Sequence, residues 1–131
     1  MLGDVIELSI VVKDLEAAVK RFETLFDLKV YRRGESREFG FKNAILPLGR
    51  GHIELMQPTD PSSAVARYLD TRGEGVYLVG FDVADIPGSV KKLRDKGVRV
   101  THPAPDTPVA WVHPRDVHGV FVELRKPQEY S

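Results

Sequence analysis

Apolar and polar positions alternate from Val5 to Val12: Leu8, Ile10 and Val12 fall on one face and Glu7, Ser9 and Val11 on the other. That period of two predicts a strand. The period then changes. After Asp14, a good helix N-cap, Leu15, Ala18, Val19, Phe22, Leu25 and Phe26 return at helical spacing. Three further strands are expected over about 29–35, 38–47 and 51–57, divided at Gly34 and at the Gly49-Arg50-Gly51 turn. The segment 58–75, with Pro, Asp, Ser and Gly at both ends, reads as a connector. It holds a short helix around Ala64–Leu69 closed by Gly73.

The pattern then repeats. Val12-Lys13-Asp14-Leu15 returns as Val83-Ala84-Asp85-Ile86, and Val19-Lys20-Arg21-Phe22 returns at the same offset as Val90-Lys91-Lys92-Leu93. A strand over Val76–Val83, a helix capped by Asp85 and ended near Gly97, and strands at about 98–102, 108–113 and 119–125 complete a second β-α-β-β-β series. The expected class is α+β, a single domain over 1–131 with internal repeats 4–57 and 76–126 joined by the linker 58–75. Four strands with one covering helix leave a sheet face bare. Two such modules are therefore expected to form paired open half-barrels around a cup-shaped cleft.

Composition narrows the function. The 131 residues are 42% apolar and 29% charged, with 19 acidic against 19 basic side chains, so nothing electrostatic favours nucleic acid. Without cysteine there is no disulfide, thiolate nucleophile or zinc–thiolate site, which agrees with a cytoplasmic location. No apolar run approaches the ~18 residues of a membrane span. A balanced charge puts no Coulombic obstacle before a homodimer. No phosphate-binding loop, dinucleotide fingerprint or nucleophile elbow is present.

The segments Ile10–Glu16, Ala44–Gly49, Tyr68–Gly75, Phe81–Ile86, Val112–Pro114 and Gly119–Leu124 together resemble the vicinal oxygen chelate superfamily, which includes glyoxalase I, extradiol dioxygenases and bleomycin-resistance proteins. Within it the likeness is to methylmalonyl-CoA epimerases, and Arg72-Gly73-Glu74-Gly75 is its most particular piece. The resemblance implies one metal ion held by a side chain from the first and last strand of each module. Those slots fall on Glu7, Glu54, Leu78 and Glu123. The repeat agrees, since its offset carries Glu7 to Leu78, while Glu54-Leu55 finds its counterpart in Glu123-Leu124.

This chain departs from the family, which has histidine in the first and third slots. Leucine ligates nothing, so Glu7, Glu54 and Glu123 remain as metal candidates. Such an all-carboxylate set suits magnesium, manganese or calcium rather than zinc. The other reading is metal-free. Three carboxylates facing one low-dielectric space repel, and at least one then holds a proton at a raised pKa, a useful state for acid–base work. His52 shares the parity of Glu54 and is a substitute nitrogen ligand, whereas Tyr77 should face away from the Leu78 slot. The family's catalytic glutamate falls by resemblance on Glu38, with Glu35 as the alternative register.

Two functions follow. The first is an epimerase-like isomerase or lyase acting on a small acyl or oxygen-rich molecule. In it Glu38 and Glu123 are the acid/base pair, and Glu7 and Glu54 shape the site or bind metal. The second is a metal-free protein that sequesters a small molecule, as bleomycin-resistance relatives do.

Overall fold

The computed structural model describes residues 1–127 and Tyr130. It is α+β and runs through the β-α-β-β-β order twice, as the hydrophobic pattern predicts. Two compact units emerge. One comprises Leu8–Tyr77 with Tyr130; the other comprises Met1–Glu7 with residues 78–127. Strand β1 (Val5–Val11) therefore gives its first residues to the second unit and the remainder to the first.

In the first unit the strands lie in the order β2 (Arg32–Ser36), β3 (Phe41–Leu48), β4 (Gly51–Pro58), β1. Antiparallel β3 and β4 pair from Phe41↔Pro58 to Leu48↔Gly51. Helix α1 (Leu15–Phe26) starts where the Asp14 carboxylate accepts the Ala17 N–H at 3.1 Å. It lays Leu15 and Val19 on Ala44, Leu46 and Leu55. Helix α2 (Ala64–Arg72) starts at Ser63, whose hydroxyl accepts the Ala66 N–H at 3.0 Å, and ends at Gly73 with φ 79°. It is longer than expected and is more than a connector. Val65 is buried with Val11 and Met56, and Tyr68 meets Tyr77 edge-on at 5.1 Å.

In the second unit the order is β5 (Gly75–Asp82), β8 (Val122–Arg125), β7 (Val109–Val112), β6 (Val100–Thr101). This is the same internal arrangement as β1, β4, β3, β2. Parallel β5 and β8 pair from Val79↔Val122 to Asp82↔Arg125, and β7 runs antiparallel to β8. Helix α3 (Ile86–Asp95) is capped by Asp85, which accepts the Gly88 N–H at 3.1 Å. Ile86 and Val90 pack on Val83, Ala110, Val112, Val122 and Leu124. The N-terminal residues run beside β5: Gly3 N–H donates to the Asp82 carbonyl at 2.7 Å, and Asp82 N–H to the Asp4 carbonyl at 2.9 Å.

Several strands are shorter than their patterns suggest, and for three of them the structure shows a local reason. Strand β6 keeps two residues because Arg99 N–H donates to the Asp116 carboxylate at 2.8 Å instead of to a strand. The Arg99 guanidinium also pairs with Asp116 and holds its carboxyl down at about 2. Strand β8 begins late because a 3₁₀ turn (Pro114–Val117) leads into Gly119 at φ 87°. Strand β3 starts at Phe41 because residues 37–40 turn, with Gly40 N–H donating to the Ser36 carbonyl at 2.9 Å. Among the described residues no helix is long and apolar enough to cross a membrane.

These packing roles carry expected energies. Asp14→Ala and Asp85→Ala should each lower stability by about 1 kcal/mol through loss of a cap. Leu124→Ala, at a fully buried position, should cost about 2–5 kcal/mol. Urea unfolding measures all three, and a Leu124→Ala loss below about 1 kcal/mol would contradict its place in the core.

Candidate functional site

Alternation along β8 sorts its side chains. Val122 and Leu124 enter the apolar core of the second unit, which turns Glu123 and Arg125 to the other face. Glu123 is nevertheless buried, and so is Glu7, at 7% and 4% exposure. Glutamate is almost never buried unpaired, and here the partners are explicit. Arg125 Nη1 donates to Glu7 Oε1 at 2.7 Å and to Glu123 Oε2 at 3.1 Å. Trp111, opposite Glu123 on β7, donates its indole N–H to Glu123 Oε1 at 2.9 Å.

The sheet register makes room for this group. Gly80 faces Glu123 across the β5–β8 pair. A Cβ placed there would lie 2.8 Å from Glu7 Cβ and 3.4 Å from both Arg125 Cδ and Glu123 Oε2. A side chain at this position would collide with Glu7, so glycine is what lets the Glu7 carboxyl sit beside β5.

The electrostatics follow from the same contacts. Burial first, then the hydrogen bond with Glu7 and its negative charge, push the Glu123 carboxyl up to about 8, against the pull of Arg125 and the Trp111 indole. A hydrogen bond between two carboxyls needs a proton on one of them. Two carboxyls, one shared proton and one guanidinium together carry no net charge, which is how the group tolerates burial. A carboxyl poised near neutral pH can take a proton from a weak carbon acid or return one.

Glu54 has different company. In the first unit its carboxylate accepts the Ser9 hydroxyl at 2.8 Å and the Asn43 side-chain amide at 2.5 Å, and it is half-buried. His52 is buried and shares a hydrogen bond with the Tyr130 hydroxyl, whose ring meets Tyr31 edge-on at 5.5 Å. Leu78 is buried. Glu38 stands exposed on the turn between β2 and β3, and Glu35 is exposed on β2. His113 is spent on the 3₁₀ turn, its Nδ1 accepting the Arg115 N–H at 3.2 Å, while His102 bonds the Thr107 carbonyl at 3.0 Å.

The donor set does not fit the metal site that the resemblance implies. Among the described residues no three His, Asp or Glu side chains are grouped to hold an ion. Glu7 and Glu123 are engaged by a guanidinium, Glu54 by two neutral donors, and the third slot, Leu78, is a hydrocarbon. Sequence reading missed Arg125. The available signal was its place two residues beyond Glu123 on the same face, at the position that Met56 fills in the first repeat.

A buried carboxyl pair on a β-α-β-β-β scaffold defines a class of protein before it defines a reaction. The family model described as Glyoxalase/Bleomycin resistance protein/Dioxygenase superfamily matches residues 7–113, and the chain belongs to that superfamily. Within it the likeness is to methylmalonyl-CoA epimerases. The ethylmalonyl-CoA/methylmalonyl-CoA epimerase of Cereibacter sphaeroides is 28% identical over 96% of this chain and 99% of its own. The mitochondrial methylmalonyl-CoA epimerase of Homo sapiens is 29% identical over 95% of this chain and 74% of its own. A variant of the Streptomyces coelicolor methylmalonyl-CoA epimerase, solved with 2-nitronate-propionyl-CoA, superposes with a TM-score of 0.89 at 29% identity, covering 98% of this chain and 100% of that one.

Two outcomes test the site. Glu123 titrates at about 8 when folded against an ordinary 4.5. Between those values the folded chain holds a proton that the unfolded chain releases, so stability should fall as pH rises through that window. Urea midpoints at about pH 5, 7 and 9 should show this decline, and Glu123→Gln should flatten it; an equal decline in the variant would refute the assignment. Gly80→Ala should destabilise by about 1–3 kcal/mol through overpacking, read in the same urea assay.

Proposed function

We propose that this chain is an epimerase-like isomerase that moves a proton at the carbon next to the thioester carbonyl of a small acyl-CoA. The observation that carries the reading is the buried Glu123 carboxyl, hydrogen-bonded to Glu7 and poised to ionise at about 8. Full-length similarity to epimerases supplies the substrate class. In its ionised form Glu123 takes the α-proton, and the electron pair of the C–H bond passes into the thioester as an enolate. The reacting carbon becomes planar and loses its handedness. Return of a proton to the original face regenerates the starting epimer; return to the other face inverts it.

Glu7 shares its proton with Glu123 and so sets how readily that carboxyl gives one up. The resemblance assigns the second face to Glu38. Glu38 lies exposed on the turn between β2 and β3, and this is the part of the proposal that substitution tests most directly.

The assay is deuterium wash-in on methylmalonyl-CoA, followed together with the inversion of single epimers. Exchange should rise with pH and level off above about 8 as Glu123 ionises. Glu123→Gln should slow exchange by about 10²–10⁴-fold, the usual worth of a positioned base. Glu38→Gln should leave exchange on one face intact while abolishing inversion. Absence of exchange above background in the wild type would remove the isomerase reading.

One observation favours the sequestering alternative. Leu78 puts a buried hydrocarbon in a slot where the resemblance expects a ligand. Tight acyl-CoA binding without any proton exchange would establish that alternative.

A further inference from the structure

The two buried carboxyls that the resemblance would give to a metal ion are already held by a cation of the chain itself. Arg125 Nη1 carries two N–H groups, and its bonds to Glu7 and Glu123 use both. Nε donates to the Lys126 carbonyl at 3.3 Å, which helps fix the plane of the guanidinium. The two N–H groups of Nη2 then have no partner among the described residues. No buried side-chain nitrogen there lacks a partner, so Nη2 is open to solvent on a side chain that is 18% exposed. One nitrogen is anchored on carboxyls while the other is presented outward.

We propose that Arg125 fills in this chain the role of the family's metal ion: anchored by Glu7 and Glu123, it offers Nη2 to a carbonyl or carboxylate oxygen of the substrate and stabilises the negative charge that develops there, with no divalent ion at these carboxyls. The assignment rests on three independent features. A guanidinium stays charged at any physiological pH and donates in a fixed fork, so it is preorganised for an oxyanion. A divalent ion at Glu7 and Glu123 would have to expel Arg125 or suffer its repulsion at contact distance. Leu78, buried at the position corresponding to Glu7 in the second repeat, offers a metal ion no ligand. Gly80 belongs to the same arrangement, since a Cβ there would lie 2.8 Å from Glu7 Cβ and displace the carboxyl that anchors Arg125.

The substrate half of this inference rests on the acyl-CoA reading above; the metal half does not, and the test separates them. In the first arm, manganese(II) is titrated into the full chain and free ion is followed by electron paramagnetic resonance, for wild type, Arg125→Lys and Arg125→Met. The wild type should leave the ion free up to millimolar concentration. Arg125→Met, with its carboxyls uncompensated, should bind at least tenfold more tightly than wild type. One manganese per wild-type chain at micromolar affinity overturns the proposal whatever the variants do, so misfolding of Arg125→Met cannot shelter it.

In the second arm, 2-nitronate-propionyl-CoA, an anionic enolate mimic, is bound in the presence of EDTA. Arg125→Met should weaken it about 10- to 100-fold, the worth of a hydrogen bond to a charged partner, with Arg125→Lys recovering part of the loss. Equal binding by wild type and Arg125→Met, or binding that EDTA abolishes and manganese restores, overturns the proposal. A wild type that binds neither manganese nor the analogue supports the metal half and removes the acyl-CoA reading.

Discussion

Glu7 and Glu123 come from opposite ends of the chain, and each alone would resist burial beside β5. What lets them lie together is the Arg125 guanidinium on one side and a shared proton on the other. Removing the guanidinium would leave two carboxyls in a desolvated space, a loss that typically costs about 3–5 kcal/mol when one partner of a buried ion pair is deleted. Much of the local structure serves this group. Parallel pairing of β5 with β8 places Gly80 opposite Glu123, antiparallel pairing of β7 places Trp111 there, and the N-terminal residues hydrogen-bonded along Asp82 bring in Glu7.

The two repeats solve the same problem differently. Each ends on a strand that carries a glutamate followed by a core leucine, Glu54-Leu55 and Glu123-Leu124. Glu54 is half-buried and meets two neutral donors, Ser9 and Asn43. Neutral donors stabilise a carboxylate without cancelling its charge. Glu123 is buried more deeply and meets a cation and a second carboxyl. The position after the leucine shows the divergence: Met56 joins an apolar cluster, whereas its counterpart Arg125 supplies the charge. The scaffold is duplicated, but its electrostatics are not.

Periodicity and capping made most of the scaffold readable, because Asp14, Ser63 and Asp85 are local signals acting on adjacent backbone. The strand ends were less readable. The Arg99–Asp116 pair that shortens β6 joins residues 17 apart, and nothing in a period of two encodes it. The burial of Glu7 and Glu123 and the raised pKa of one carboxyl were legible from strand parity and like-charge repulsion. Arg125 was not, because reading β8 as a row of candidate ligands gave weight to acidic positions and none to a base beside them. A neutral total charge of the whole chain also conceals how that neutrality is arranged at one buried point.

Similarity to epimerases extends along the whole chain, yet a fold carries chemistry only through the groups placed on it. Glu7 and Leu78 in slots where the resemblance expects histidine look, taken singly, like two unrelated losses. Arg125 makes them one change. A guanidinium needs carboxylate anchors rather than imidazoles, so glutamate suits the first slot. It needs no fourth ligand, so a hydrocarbon is acceptable in the third. The same cation keeps a positive charge beside the proton-carrying carboxyl, which is the requirement a metal would otherwise meet when an enolate forms. On this argument the first and third slots departed from the family pattern together, because a guanidinium as the central cation asks for a carboxylate in one and for no ligand in the other.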